Sequence, residues 1–307
     1  MKTIEPPYKI LSVWEREWRF FESDEMLAAT EIFDALLENH GGWGGAWSQP
    51  LAAALREFLL KYPNHIDALH HYASYLLDGD QLIEALAFSQ TAVAIGMRAF
   101  PKEFVIGKDR LCTGYVQNRP YLRAMHGLML AQKAVNLTEE AIRTGEMCLA
   151  LDTNDRMGAR EELVLCLIES NRDEAAISLF ENPAYKETFF GAGYLHALAL
   201  LRVGQRGKAR ASLKHYLEYY PLIAKFILDK SAVRPSDDNR FGVAVGSPME
   251  GWLYAHKIGH FWRKNRAAMK FLREEADPYA NRGWSREIKN DGLILKAQPH
   301  PRDHTDN

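Results

Sequence analysis

Few side chains in this chain have the types and spacing that chemistry requires. His256 and His260 stand four apart, so on a helix their rings share a face, with Glu250 a turn and a half earlier. Such a pair is the beginning of a metal site, and a metal-dependent enzyme using His256 and His260 is one reading of it. Lys257, Ile258 and Gly259 lie between them, so the glutamate of the zinc-protease motif is missing and the glycine weakens the helix. The competing reading, two ordinary partly buried histidines, implies neither a metal nor any other cofactor. No serine sits in a G-x-S-x-G elbow and no Walker A loop is present, which removes two nucleophile and nucleotide chemistries. The acidic pairs Glu139-Glu140 and Glu161-Glu162 read as solvated or first-turn charges rather than as a general acid and base.

Two other clusters invite binding rather than catalysis. Arg119, Arg123 and Arg160 fall near adjacent helix starts, where guanidinium groups can contact a carboxylate or a phosphate. An RNA-binding helical repeat protein is the corresponding alternative. The overall charge argues against it, because 38 Lys+Arg face 40 Asp+Glu for a net charge of -2, and no global field gathers nucleic acid. The loop Gly41-Gly42-Trp43-Gly44-Gly45-Ala46-Trp47 offers two indoles on a permissive backbone, either as a lid or partner contact or as a turn packed on neighbouring helices. Cys112, Cys148 and Cys166 are too few and too far apart for a disulfide framework or a thiolate metal site. With no signal-peptide pattern at the amino terminus and no long apolar run, the expected setting is the cytoplasm, without membrane attachment.

The elements that would position these residues read as helices. Between Ile66 and Ala94, and from Leu122 to Leu149, apolar residues recur at three- and four-residue spacing. The best strand candidates, Phe241 to Val245 and Leu293 to Leu295, are too isolated to make a sheet of any size. Four segments share a turn-forming residue followed five positions later by alanine: Asp80 and Ala85, Asn136 and Ala141, Asn171 and Ala176, Gly204 and Ala209. The last three alanines are 35 and 33 residues apart, which brackets the period of about 34 of a helix-turn-helix solenoid. The first two are 56 apart, one period plus an insertion of about 22 residues placed between Gly96 and Asn118.

The expected organisation follows. Residues 1–65 form an amino-terminal helical cap with helices over about 10–21, 24–39 and 50–61, and residues 66–230 carry the repeats with the insertion near 96–118. Residues 231–284 make a loop and a carboxy-terminal cap with helix near 248–276, and residues 285–307 form a disordered tail. The fold class is all-α: a right-handed α-solenoid with helical caps.

The repeat resembles the tetratricopeptide (TPR) family over about 66–220, with Asn171-Arg172-Asp173-Glu174-Ala175-Ala176 and Gly204-Gln205-Arg206-Gly207-Lys208-Ala209 where that family has its turn and small residue. Tyr62-Pro63 and Tyr220-Pro221 stand where its repeats close. Asn118-Arg119-Pro120-Tyr121-Leu122-Arg123-Ala124, Leu151 to Arg160, Tyr254-Ala255 and Trp262 are similar to bacterial TPR-like relatives of the suppressor-of-tumorigenicity family, over about 115–272. The resemblance implies a TPR-like fold and no catalytic mechanism.

With the alanine as the twentieth position, TPR-like register turns the second, fifth, sixth, ninth and twelfth positions to the concave side. The expected ligand groove is Asp67, His70, His71, Arg123, His126, Lys133, Glu161, Glu162 and Tyr194, with Arg119 and Arg160 as possible anion contacts. Arg123 and Lys133 either close the groove by pairing with Glu161, Glu162 or Asp155 or leave charged subsites for a peptide. The expected function is a protein- or peptide-binding scaffold without catalysis of its own.

Overall fold

In the computed structural model, which describes residues 5–41, 47–183, 192–236, 243–244 and 246–280, the interval between the alanines is the interval between identical turns. Asp80, Asn136, Asn171 and Gly204 all adopt positive φ, between 57° and 80°. In each turn the next residue's N–H reaches back to the sixth carbonyl: Gln81 to Leu76, Leu137 to Gln132, Arg172 to Leu167 and Gln205 to Leu200, at 2.8–2.9 Å. This is the Schellman closure of a helix, and it needs a residue that tolerates left-handed backbone. The residue after each turn then opens the second helix, whose alanine is fully buried in all four cases.

The pairs are α3 (Ile66–Asp78) with α4 (Leu82–Met97), α5 (Arg119–Ala134) with α6 (Thr138–Leu151), α7 (Ala159–Glu169) with α8 (Asp173–Glu181), and α9 (Ala192–Arg202) with α10 (Arg206–Tyr219). The first helices succeed one another, α3 against α5, α5 against α7, α7 against α9, so each pair buries an apolar face that it cannot bury alone. The chain is all-α in its main architecture, a helical-hairpin repeat preceded by α1 (Asp24–Asn39) and α2 (Gln49–Lys61), whose first turns are capped by Ser23 and Ser48.

The helix expected over 10–21 is instead a β-hairpin, β1 (Tyr8–Trp14) antiparallel to β2 (Glu17–Glu22). Burial alternates in it, with Tyr8, Ile10 and Phe20 inside, and the insertion supplies what the hairpin lacks alone. Trp18 N–H donates to the Arg110 carbonyl at 2.9 Å, and Arg110 N–H to the Arg16 carbonyl at 2.8 Å. Asn118, fully buried, accepts from Phe20 N–H at 2.9 Å and donates to the carbonyls of Trp18 and Cys112 at 3.0 and 3.1 Å. Phe20 and Tyr121 rings meet at 5.1 Å, and Trp18 and Phe104 at 5.5 Å. The insertion is therefore a docking element for the hairpin, lying between the end of α4 at Met97 and the start of α5 at Arg119.

The chain separates into two compact units, up to Leu213 and from Lys214. The second holds α11 (Pro221–Leu228), α12 (Pro248–Arg263) and α13 (Arg266–Ala280), packed around Ile223, Ile227, Trp262, Phe271 and Leu272. The expected single helical stretch near 248–276 is thus two helices, the second started by Asn265, whose side chain accepts from Ala268 N–H at 3.0 Å. Most of the strand candidate Phe241 to Val245, all of Leu293 to Leu295 and the expected tail 285–307 lie outside the described residues. No described helix is long and apolar enough to cross a membrane.

Candidate functional site

The polar side chains of the expected groove gather at the start of α3. His65 caps that helix: its Nδ1 accepts from Ala68 N–H at 3.1 Å, and its Nε2 lies 3.1 Å from Thr30 Oγ1. Thr30 has one hydroxyl proton and gives it to the Glu22 carboxylate at 3.0 Å, so Nε2 of His65 must be the donor toward Thr30. That tautomer is the neutral imidazole. Burial holds its pKa down at about 4, and Asp67 only partly offsets it. Burial also raises the Glu22 carboxyl above its ordinary range, against the Thr30 hydrogen bond.

Two residues on, Asp67 is the anion of the cluster. Its carboxylate is 5 % exposed and is held by a fork from α5, Arg123 Nε to Oδ1 at 3.1 Å and Arg123 Nη2 to Oδ2 at 2.5 Å. His71 Nδ1 donates to the Asp67 carbonyl at 2.8 Å and lies 3.5 Å from Oδ1. Burial would raise the Asp67 carboxyl, but His71 and Arg123 outweigh it and the net shift is downward. Asp34 on α1 feels the same field: its carboxyl is raised by burial and by Asp67, against Arg123 and His71.

His70 completes the cluster by close approach. A Cβ on Gly127 of α5 would sit 2.8 Å from His70 Nδ1, so the absent side chain at Gly127 admits the ring. His70 Nδ1 is buried without a hydrogen bond, and burial together with His71 keeps the imidazole neutral, its pKa lowered to about 3. His126 contributes to the same field. Trp47 lies edge-on to His71 at 5.9 Å and remains 36 % exposed. The arrangement brings together Asp67, His70, His71, Arg123 and His126, with the Asp67 charge met by Arg123 and His71 and the His70 imidazole kept neutral by burial. Its chemistry is that of an internal hydrogen-bond and ion-pair network.

The remaining groove residues divide. Lys133 Nζ meets Glu162 Oε2 at 2.5 Å, the closed alternative for that cation, while Arg123 takes Asp67. Glu161 lies half-buried in the first turn of α7. Tyr194 is fully buried, a correction to its place in an open groove. The reason is visible in α9, where Ala192 to Leu195 and Ala197 to Leu200 are all buried: a helix apolar on nearly every side is core. The three arginines turn to different acceptors. Arg119 Nε donates to the Thr113 carbonyl at 3.0 Å, Arg123 holds Asp67, and Arg160, 8 % exposed, lies in the field of Asp155.

His256 and His260 are both exposed on α12, His256 stacked on Trp252 at 5.1 Å and His260 against Phe261 at 3.8 Å. Among the described residues no group of three His, Cys, Asp or Glu side chains could hold a metal ion. Trp43 lies outside the described residues. Sequence reasoning missed Glu22, Thr30, Asp34 and His65. His65 carried a local signal, a capping-capable side chain directly before an apolar helix, whereas Glu22, Thr30 and Asp34 arrive from β2 and α1 and have no register with the repeats.

Fold and site together define a helical-hairpin repeat protein with a polar, internally bonded cluster on its first two pairs. The chain belongs to the family described as transcriptional repressor TCF25, whose model matches residues 46–304. That family is a different one from the suppressor-of-tumorigenicity relatives that the motifs resemble. No curated protein matches the chain. Among solved structures, YrrB, described as a TPR protein with an unusual peptide-binding site, is 14 % identical over 76 % of this chain and 95 % of its own, with a TM-score of 0.45. A likeness that distant carries no argument here, and the fold rests on the turns and packing above.

Proposed function

We propose that this chain is a protein- or peptide-binding scaffold with no catalysis of its own, acting through the polar groove of its first two helix pairs in a cytoplasmic setting. The observation that carries the reading is the Asp67–Arg123–His71 cluster with His70 and His126. It is an ordered set of donors and acceptors on consecutive first helices, beside Ser74, Leu130 and Lys133 of the same register. Membership in a family described as transcriptional repressors supports a regulatory role exercised through partners. Internal pairing of Arg123 and Lys133, with near-neutral net charge, makes direct RNA binding the weaker alternative. The described cysteines are all free, in keeping with a reducing compartment.

A photo-reactive residue placed in cells at Ser74, Leu130 or Glu161, and separately at Ile83 on α4 as a control, tests this. The expected outcome is one recurrent protein adduct from the groove positions and none of it from Ile83. Adducts only from Ile83, or RNA adducts from the groove whose yield falls steeply with salt in the purified system, overturn the assignment.

A further inference from the structure

The first two helix pairs leave a cleft on the side of α5 away from the polar cluster. α4 and α6 each pack on α5, and between them about 320 Å³ stays unfilled. The floor is one row of α5, Met125, Leu128 and Gln132, whereas Arg123, His126 and Lys133 belong to the other side of that helix. Val93 and Met97 wall the cleft from α4 and Met147 from α6, so three thioethers meet there. Met125 is 1 % exposed while Met97 keeps 37 %, a sealed floor under an open wall. Two polar features limit what the cleft can take. At the rim, Arg143 Nη2 donates to Glu140 Oε1 at 3.0 Å, and the two charges cancel. On the floor, Gln132 Oε1 accepts from Thr144 Oγ1 at 2.8 Å, and among the described residues Gln132 Nε2 donates to no protein group. That nitrogen is not sealed from solvent either.

We propose that this cleft is a docking site for a short, uncharged, apolar segment of a partner protein, which lies extended on the methionine floor and gives a backbone carbonyl to Gln132 Nε2. The volume is of the size that holds ligands, and the polar groups in it are few and placed. Length, surface and charge select the occupant. From Met125 to Gln132 the row rises about 10 Å at about 1.5 Å per residue, the span of about three extended residues. Thioether side chains are polarisable and adapt to leucine-like neighbours. With the rim charges already paired, a charged group would lose its water on the apolar floor without gaining a partner. The open donor at Gln132 asks for a neutral acceptor. Carbonyls inside a helix are already bonded, so the acceptor comes from extended chain.

The test uses the full chain with isotope-labelled methionine methyl groups and acetyl-leucyl-alanyl-leucine amide as the probe, beside acetyl-trialanine amide. The leucine peptide is expected to shift the methyl signals of Met97, Met125 and Met147 and to leave Met249, in the second unit, where it is. It is expected to bind at least about tenfold tighter than the alanine peptide. Gln132→Leu keeps the floor apolar and removes the donor, and is expected to weaken the leucine peptide about fivefold. Thr144 can then turn its hydroxyl to the carbonyl four residues back, as threonine does in helices. Should that variant not fold, Met97→Glu on the open wall carries the test, with binding expected to fall about tenfold and the melting temperature to stay nearly unchanged. The proposal is overturned by methyl signals that do not move, by equal binding of the two peptides, or by undiminished binding to the folded variant. A copy of the peptide with aspartate for one leucine that binds as tightly overturns it too, because the occupant is then not selected as uncharged. So does self-association that shifts the same methyl signals as the protein concentration rises, because the occupant is then a second copy.

Discussion

The four helix pairs share a turn and a buried alanine, yet the same register positions are polar in α3 and α5, still part polar in α7 and wholly core in α9. In α3 and α5 the inward-register positions hold Asp67, His70, His71, Arg123 and His126, tied into a polar network with α1 and β2. In α7 they hold the half-buried Glu161 and Glu162 before the buried Leu165 and Ile168, and in α9 Tyr194, Leu195 and Leu198, all at 2 % exposure or less in that last helix. Repeat geometry sets a direction only. Whether that direction is groove or core depends on the side chains placed there and on whether the opposite face of the helix is also apolar, as it is in α9.

The largest effect expected from this contrast is at Tyr194. Tyr194→Ala empties a fully buried site and is expected to cost about 3–5 kcal/mol of stability, read as a fall in melting temperature. A value near zero would return Tyr194 to an open groove. Arg123→Ala comes next. It strands the Asp67 carboxylate beside His71, and because the Arg123 side chain keeps 26 % exposure the expected loss is below that of a fully buried pair, about 2–3 kcal/mol. The double change Arg123→Met with Asp67→Leu is expected to recover most of it in chemical denaturation, since the penalty comes from the unpaired charge rather than from the loss of the pair.

What was legible in the sequence follows the same division. The turn at Asp80, Asn136, Asn171 and Gly204 is local chemistry, five residues from an alanine, and reading it gave the helix pairs and the limits of the insertion. Groove membership was legible only while the helix had a polar side: α3 and α5 do, and α9 reads as core once all of its faces are weighed. The hairpin was not legible as strand because Tyr8 to Glu22 is too short to be stable alone. Its strand state depends on Asn118 and Arg110, about a hundred residues later. Glu22, Thr30 and Asp34 joined the site for the same reason, through contacts distant in sequence.

Buried histidines make both regions lose stability in acid, His196 on α9 included, but the large shifts belong to the first pairs. His65 and His70 are neutral in the fold, with pKa values lowered to about 4 and about 3, so between there and about 6.5 the unfolded chain binds more protons than the folded one. Stability is complete above about 6.5 and is lost as pH falls through that window, by on the order of 1 kcal/mol per pH unit. For His65 the cause is specific, because a proton on Nδ1 removes the acceptor for Ala68 N–H. His65→Asn keeps a capping oxygen and is expected to flatten the slope in denaturation measured from pH 7 to 5. An unchanged slope would place the titration elsewhere.

The smallest effect is the sharpest in sign. In an ordinary helix Gly→Ala is favourable by about 1 kcal/mol, but a Cβ on Gly127 falls 2.8 Å from His70 Nδ1 and 3.1 Å from Cε1, closer than the ring can accept without moving. Displacing the ring opposes the gain in helix propensity, so Gly127→Ala alone is expected to be neutral or destabilising by about 1 kcal/mol. Once His70→Ala has removed the ring, the same Gly127→Ala is expected to stabilise by about 1 kcal/mol, because only the propensity remains. The sign change, measured as a double-mutant cycle in chemical denaturation, belongs to this pair of helices: Gly145 on α6, the comparable glycine of a second helix, meets Met129 and Leu163 at 3.0 and 3.2 Å. Gly145→Ala in the His70→Ala background is expected to behave as it does in the wild type. A cycle that closes without coupling at Gly127 means that His70 does not lie against α5, and the Arg123–Asp67 pair is then left to join the two helices of the polar cluster.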